Sequence, residues 1–484
     1  MKYIGIIGLE VHIELNTATK MFCRCPNESQ VTESNKNVCP ICLGHPGTMP
    51  ATNKEAIKSI LRLGIALGGE IATISQFDRK SYFYPDLPKG YQISQYEHPF
   101  VKKGELSGVK IRRIHLEEDA GKLIHSTRGE TLCDYNRAGV PLIELVTEPD
   151  ITSGEKAVEF TKELQLALRY LGISSADMEN GELRLEANIS VRPENTEKLG
   201  TKVEVKNLNS FNFMAKAIDY EIQRQIETLE RGEAVEQETR GWNSIKNQTF
   251  SQRSKEDAHD YRYLPEPDLT SYNLTDKSFI DIDELRSDIP EMPWEKRIRF
   301  IEEFGMTDKV AVSFVEDKIF AAYFEEIASE IIAEDITEEE KKKSLQLVAN
   351  YMLADVRSII NQSRADTLEF RERVSPENMA DLIILIAKDK LTSRMAKDIL
   401  GEMYATSADP NNIIATNGLS QITDEETIIA IIQEVKTEHP KAVEDYKKGK
   451  DNALQFLFGQ TMAKLKGQGS PDTIKELLKK QIVR

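Results

Sequence analysis

Residues 9–15 alternate strictly between apolar and polar side chains, at the end of a strand-like opening segment that begins at Gly5. In an extended strand successive side chains point to opposite faces. Ile7, Leu9, Val11, Ile13 and Leu15 therefore share one face, and Glu10, His12 and Glu14 share the other. The apolar face predicts docking on a core. The opposite face sets two carboxylates and an imidazole in a row. Oxygen ligands with one imidazole suit a hard divalent cation such as Mg²⁺ or Mn²⁺, and a plain solvated face is the competing reading. Alternation returns over 110–116, 181–191 and 201–206, while 53–67, 153–171 and 212–231 carry helical spacing. Strands and helices do not take strict turns, so an α+β fold with a mixed sheet is expected rather than a doubly wound one.

Pro290-Glu291-Met292-Pro293 marks a change of character. Beyond it apolar residues recur at helical spacing. Ile319, Phe320, Tyr323, Phe324, Ile327 and Ile331 form one stripe that predicts a bundle core. Residues 407–418, rich in Asn, Asp and Pro, read as a loop, and a small helical unit follows. Three domains are expected: a mixed α/β domain over 1–290, a helical domain over 291–405 and a helical tail over 406–484.

Composition narrows the class. Hydrophobic residues make 40% and charged residues 30% of the 484, as in a soluble globular protein. No apolar run is long enough for a bilayer and no leader-like segment opens the chain, so a cytoplasmic protein without membrane contact is expected. The net charge of −17 means that RNA would have to meet a local basic patch. Residues 440–484 offer one, with ten Lys/Arg against five Asp/Glu, although a solvated helical tail has the same composition.

Four of the five cysteines fall close together, as Cys23-x-Cys25 and Cys39-x-x-Cys42. Two close pairs can wrap one tetrahedral Zn²⁺, and Pro26, Pro40 and Gly44 suit the tight knuckles this needs. A four-sulfur shell has no open position, so its role would be structural. Further on, Glu117, Glu118 and Asp119 stand in a row, and repel one another unless a cation or basic groups neutralise them. Glu144 lies among large apolar residues, where a carboxylate must be paired, protonated or metal-bound. Over 181–192 the polar face carries Arg184, Glu186, Asn188, Ser190 and Arg192, a mixture able to hold a metal–phosphate group or to line a wet sheet. Residues 78–91 mix Arg79, Lys80 and Lys89 with Tyr82, Phe83, Tyr84 and Tyr91, which suits stacking on bases and contact with phosphates as well as aromatic packing. No GxxxxGK[ST] loop, GxGxxG turn or GxSxG elbow occurs, so any ATP site is not of the Walker type and no amidase-like nucleophile is evident.

These segments resemble the B subunit of the tRNA-dependent amidotransferases that make Gln-tRNA(Gln) or Asn-tRNA(Asn), the GatB family. The likeness runs through Gly8-Leu9-Glu10-Val11-His12, Asn37-Val38-Cys39-Pro40-Ile41-Cys42-Leu43-Gly44, residues 77–95, 115–122, 134–144, 204–211 and 260–263, then Pro293-Trp294-Glu295-Lys296-Arg297 and the closing Phe458-Gly459-Gln460-x-Met462. It covers essentially the whole chain.

The resemblance implies a kinase-like cradle, a helical domain and a tRNA-binding tail. It implies ATP-dependent phosphorylation, with Mg²⁺, of the side-chain carboxylate of Glu or Asp misacylated onto tRNA, followed by amidation. Ammonia would come from a glutaminase A subunit, with a small C subunit completing a heterotrimer. On this pattern Glu10, His12 and Glu118 are the expected Mg²⁺ ligands, and Glu144, Glu182 and Glu186 extend the site. Lys80 and Lys89 are candidates for phosphate contacts or for lining an ammonia route. Tyr82, Tyr84, Lys206 and Asn207 are candidates near the nucleotide or the tRNA acceptor end. One departure stands out: Glu186 occupies a position where the family usually has Asp. The longer carboxylate leaves a catalytically impaired tRNA-binding scaffold as the alternative, and a zinc-containing ligase of a small molecule as a third reading.

Overall fold

The computed structural model describes residues 2–28, 33–126, 128–206, 208–254, 261–418, 424–465 and 468–483. The chain divides into two compact units, 1–293 and 294–484.

The first unit is built on a mixed sheet. Its opening strand, Tyr3–Glu14, is central, with Pro141–Thr147 antiparallel on one side and Leu183–Pro193 antiparallel on the other. Val109–Glu118 follows outside the former, and Val203–Lys206 outside the latter. The sheet continues on that side to Glu238–Asn243, joined in parallel, and Gln248–Ser254. The apolar face predicted for the opening strand is realised, with Ile7, Leu9, Val11 and Ile13 fully buried. The helix Phe211–Glu230 approaches this face closely enough that a Cβ on Gly5 would stand 2.6 Å from Ile222. The helix Gly154–Leu171 packs beside it, capped by the Ser153 hydroxyl and closed by Gly172 in the left-handed conformation. With helices covering one face, the polar face is left to line a cleft.

The strand Val109–Glu118 carries a bulge. Arg113 pairs with Val146, but Ile111 pairs with Thr147, so Arg112 is an extra residue. Beyond it Ile114, Leu116 and Glu118 share the apolar face, while Arg113, His115 and Glu117 face the cleft. The period of two, carried on from Ile114 and Leu116, decides the direction of each carboxylate in the acidic run.

The second unit is helical. Phe300, Phe314, Phe320, Tyr323, Phe324, Ile327 and Ile331 lie in one core. Ile319 departs from the expected stripe and is 41% exposed, because it sits in the first turn of the helix Lys318–Ala333 at the margin of the buried arc. Residues 407–418 are not a loop. Pro410–Asn417 is a helix, started by Asp409, whose carboxylate accepts the N–H groups of Asn411 and Asn412, and ended by Gly418 in the left-handed conformation. Asp-Pro is a helix-start signal as well as a turn signal. Ile413 and Ile414 of this helix join the first helical core, so that core extends past the boundary expected at 405/406. A separate core, with Ile428, Ile432, Val435, Leu457, Ile474 and Leu478, organises the tail helices. Among the described residues no helix is long and apolar enough to cross a membrane.

Candidate active site and metal centres

Strand register assembles the main site. His12 lies opposite Glu144 on one side and Arg184 on the other, and Glu144 lies opposite His115. One row across four strands therefore reads His115, Glu144, His12, Arg184. Glu10 stands two residues along from His12, opposite Glu186, and Lys206 of the next strand pairs with Glu186 at 2.9 Å. Glu144, His12 and Arg184 of this row, with Glu10, form the floor of a cleft of about 1220 Å³, whose walls include Lys80, Tyr82, Arg113, Asp119, Arg137, Tyr261 and Tyr263.

Two groups of donors meet on this floor. Glu10, His12 and Glu144 place ligand atoms within 4.8 Å of one another, and so do His115, Glu117 and Glu144. His12 Nε2 lies 3.7 Å from Glu10, 3.7 Å from Glu117 and 3.6 Å from Glu144. His115 Nε2 lies 3.4 Å from Glu144. Burial alone would discharge the His12 imidazole, but the nearby carboxylates of Glu144, Glu117 and Glu10 raise it to about 9. Burial acts the same way on His115, and Glu144 and Glu117 raise it to about 9. Burial opposes ionisation of Glu144, yet His115 and His12 hold it well below the usual carboxylate range. Burial and the neighbouring Glu144 push Glu10 up to about 7. A crowd of carboxylates set against two imidazoles, with Arg113 3.7 Å from Glu144 and Lys80 facing Glu117 and Glu144, is a donor set to which a divalent cation can bind.

Several expected residues are elsewhere. Glu118 is not in this cleft. It lies on the opposite face of its strand, where Lys89 Nζ and the Ile93 N–H (2.9 Å) donate to its carboxylate. Glu117 takes the place expected of it. Lys80 and Lys89 are likewise separated: Lys80 faces Glu117 and Glu144 in the cleft, and Lys89 lies with Glu118 in a second, smaller cavity beside Cys42 and Gly44. Glu182 accepts the Ser175 hydroxyl and the Asp177 N–H, closing a loop rather than facing the cleft. Tyr82 lines the cleft with Tyr84 stacked behind it, ring centroids 5.5 Å apart. Asn207 lies outside the described residues.

The motifs did not mark out Asp119, Arg137 and Arg184 as a group. Arg184 donates to Asp119 at 2.7 Å and Arg137 Nε lies 3.4 Å from it, at one end of the cleft. Burial opposes ionisation of Asp119, and the two guanidiniums hold its carboxyl below the ordinary value. The signal available in the sequence was the alternation about Arg184; its partner across the sheet could be found only from the register.

Cys23, Cys25, Cys39 and Cys42 converge, with all four sulfurs within 4.8 Å of one another. None is in a disulfide. The Cys23 thiol, and the Cys39 N–H at 3.1 Å, hydrogen-bond to Cys42 and hold its thiol down to about 5. Four clustered sulfurs, one already favoured as thiolate, fit a tetrahedral Zn²⁺. The knuckle ends at Gly44, where φ is +67° and a Cβ would stand 2.4 Å from Lys89 Cγ. Both facts require glycine.

Residues 5–280 match the GatB/GatE catalytic domain and residues 323–482 match the GatB domain. The chain is 44% identical to a protein of Thermoanaerobacter pseudethanolicus, over 100% of both chains, and 43% identical to one of Dehalococcoides mccartyi, over 99% of both. It is 42% identical to one of Gloeothece citriformis, over 99% of this chain and 98% of the other. Each of these relatives is named as the B subunit of an aspartyl/glutamyl-tRNA(Asn/Gln) amidotransferase. The catalytic-domain match and the names of these relatives define the class as that of an amidotransferase enzyme subunit. The chain belongs to the GatB family of tRNA amidotransferase subunits.

Proposed function

We propose that this chain is the kinase and amidation subunit of an ATP-dependent amidotransferase that converts Glu-tRNA(Gln), Asp-tRNA(Asn) or both to the amides. The observation that carries the reading is the convergence of Glu10, His12 and Glu144 on the floor of one cleft.

A carboxylate is a poor acyl donor because attack on it would expel an oxide. Transfer of the γ-phosphoryl group of ATP to a side-chain oxygen releases ADP and gives an acyl phosphate. Attack by ammonia forms the C–N bond, breaks the C–O bond and releases phosphate. Glu10, His12 and Glu144 would hold Mg²⁺, which supplies charge neutralisation at the phosphate oxygens. Lys80 and Arg113 bring positive charge to the same floor, and Arg137 and Arg184 bring it to one end of the cleft. Cys23, Cys25, Cys39 and Cys42 would hold a structural Zn²⁺. Lys89 and Glu118, in the second cavity, suit the lining of an ammonia route rather than a phosphate contact. The basic tail suits tRNA, and the A and C subunits would complete the assembly.

Reconstitution tests this. The chain, assembled with its glutaminase and small partner subunits, is given Glu-tRNA(Gln) or Asp-tRNA(Asn), ATP and glutamine. The expected product is the amidated tRNA, with one ADP formed per amide. Absence of amide beside an active control complex overturns the reading, and absence of ATP hydrolysis on misacylated tRNA leaves a scaffold.

A further inference from the structure

Lys20 is fully buried. Its ammonium donates to the Ala138 carbonyl at 2.7 Å and to the Tyr135 carbonyl at 3.3 Å. Among the described residues no carboxylate lies within ion-pair distance of it. An ammonium taken out of water calls for an opposite charge nearby. Four thiolates around one divalent cation carry an excess of negative charge, and the cysteine centre lies beside Lys20. The Lys20 N–H donates to the Cys25 carbonyl at 3.0 Å. Gly139 bridges the two, since a Cβ there would stand 3.6 Å from both the Cys42 Cβ and the Lys20 Cδ. Glu118, also close to Gly139, is already taken by the Lys89 ammonium.

The segment that Lys20 grips carries Arg137. The neighbouring Met21 N–H donates to the Gly139 carbonyl at 2.7 Å. The stretch between the two cysteine pairs holds the same segment: the Asn37 N–H donates to the Asn136 side chain at 2.9 Å, and the Tyr135 N–H donates to the Asn35 side chain at 2.8 Å. Arg137 in turn donates to the Ala120 carbonyl at 3.0 Å and the Gly121 carbonyl at 3.1 Å, beside Asp119 in the cleft. Residues 134–139 are thus braced by the cysteine centre on one flank and present Arg137 to the cleft on the other.

We infer that Lys20 is a positioning residue: it supplies the counter-charge of the metal-loaded cysteine centre and braces the 134–139 segment, so that filling of that centre fixes Arg137 at the end of the cleft. The inference rests on the metal reading of the four cysteines and deepens the function proposed above by giving the cleft a regulator. A chain without metal at the cysteines would hold an anionic ligand less tightly, although Glu10, His12 and Glu144 are unchanged.

The test uses the full-length chain, loaded with zinc or stripped by a chelator, with thermal melting as a control for folding. Zinc affinity is read by competition with a chromogenic chelator, amide exchange over 134–139 by mass spectrometry, and the cleft by binding of a fluorescent ATP analogue. Lys20→Met should weaken zinc binding about 10- to 100-fold, and Lys20→Arg, which keeps the charge, should restore most of it. In the wild type, loading should slow exchange over 134–139 about tenfold and tighten binding of the ATP analogue about tenfold. In Lys20→Met, saturating zinc should do neither. Wild-type zinc affinity in Lys20→Met overturns the counter-charge. Equal exchange, or equal measurable ATP affinity, in the loaded and stripped wild type overturns the coupling, and that comparison needs no variant to fold. A loaded chain that shows the exchange difference but binds no ATP overturns the function proposed above and leaves the coupling in place.

Discussion

Glu117 and Glu118 are adjacent in sequence and point to opposite faces of one strand, Glu117 to the imidazoles of His12 and His115 and Glu118 to Lys89. Substituting each with glutamine separates the two faces. Glu117→Gln and Glu144→Gln should weaken Mn²⁺ binding, read by calorimetric titration, by roughly 100-fold or more. Glu118→Gln should leave Mn²⁺ affinity at the wild-type value, because its carboxylate faces the second cavity. Equal loss in Glu117→Gln and Glu118→Gln would contradict this division.

The cysteine cluster makes a separate prediction. Purified protein should contain one equivalent of zinc by elemental analysis, and Cys42→Ser should contain little. Removal of the metal should lower the melting temperature of the first unit by at least ~4 °C, on the order of one or two kcal/mol. Gly44→Ala should lower the zinc content and disturb Lys89, since a side chain is strained at φ +67° and the added methyl meets the Lys89 stem.

Arg79 and Glu266 form a bidentate pair, with Glu266 1% exposed. Replacing Arg79 with methionine leaves that buried carboxylate without its cation, with the Asp268 N–H at 2.9 Å still donating to it, at a cost of about 3 kcal/mol. The expected readings are a lower melting temperature and faster amide exchange over 261–266.

In the helical unit the buried Tyr323 hydroxyl donates to the Val374 carbonyl at 2.8 Å. Tyr323→Phe leaves that carbonyl without its donor and should destabilise the unit by ~1–2 kcal/mol in chemical denaturation. Ile319→Ala, at a half-exposed position on the same helix, should change stability by less than about 0.5 kcal/mol.

Much of this could be read from the chain because alternation and helical spacing are local. The face carrying Glu10 and His12, the buried series Leu183, Leu185, Ala187, Ile189 and Val191, and the helical stripe from Phe320 to Ile331 all follow from period alone. Glu118 was misplaced because motif membership does not say which way a carboxylate points. A strand bulge at Arg112 and the phase of Ile114 and Leu116 settled that. Helix Pro410–Asn417 was missed because Asp, Pro and Asn signal a helix start as readily as a turn. The pairing of Arg184 with Asp119 depends on register between strands far apart in sequence, and no local pattern records it.

The place of the strand Tyr3–Glu14 at the centre of its sheet bears on how the protein is made. It leaves the ribosome well before both strands that flank it, Pro141–Thr147 and Leu183–Pro193. At ordinary elongation rates that interval is on the order of ten seconds. Throughout it the apolar side of this strand waits without its sheet neighbours, and the catalytic floor cannot close until both have been made.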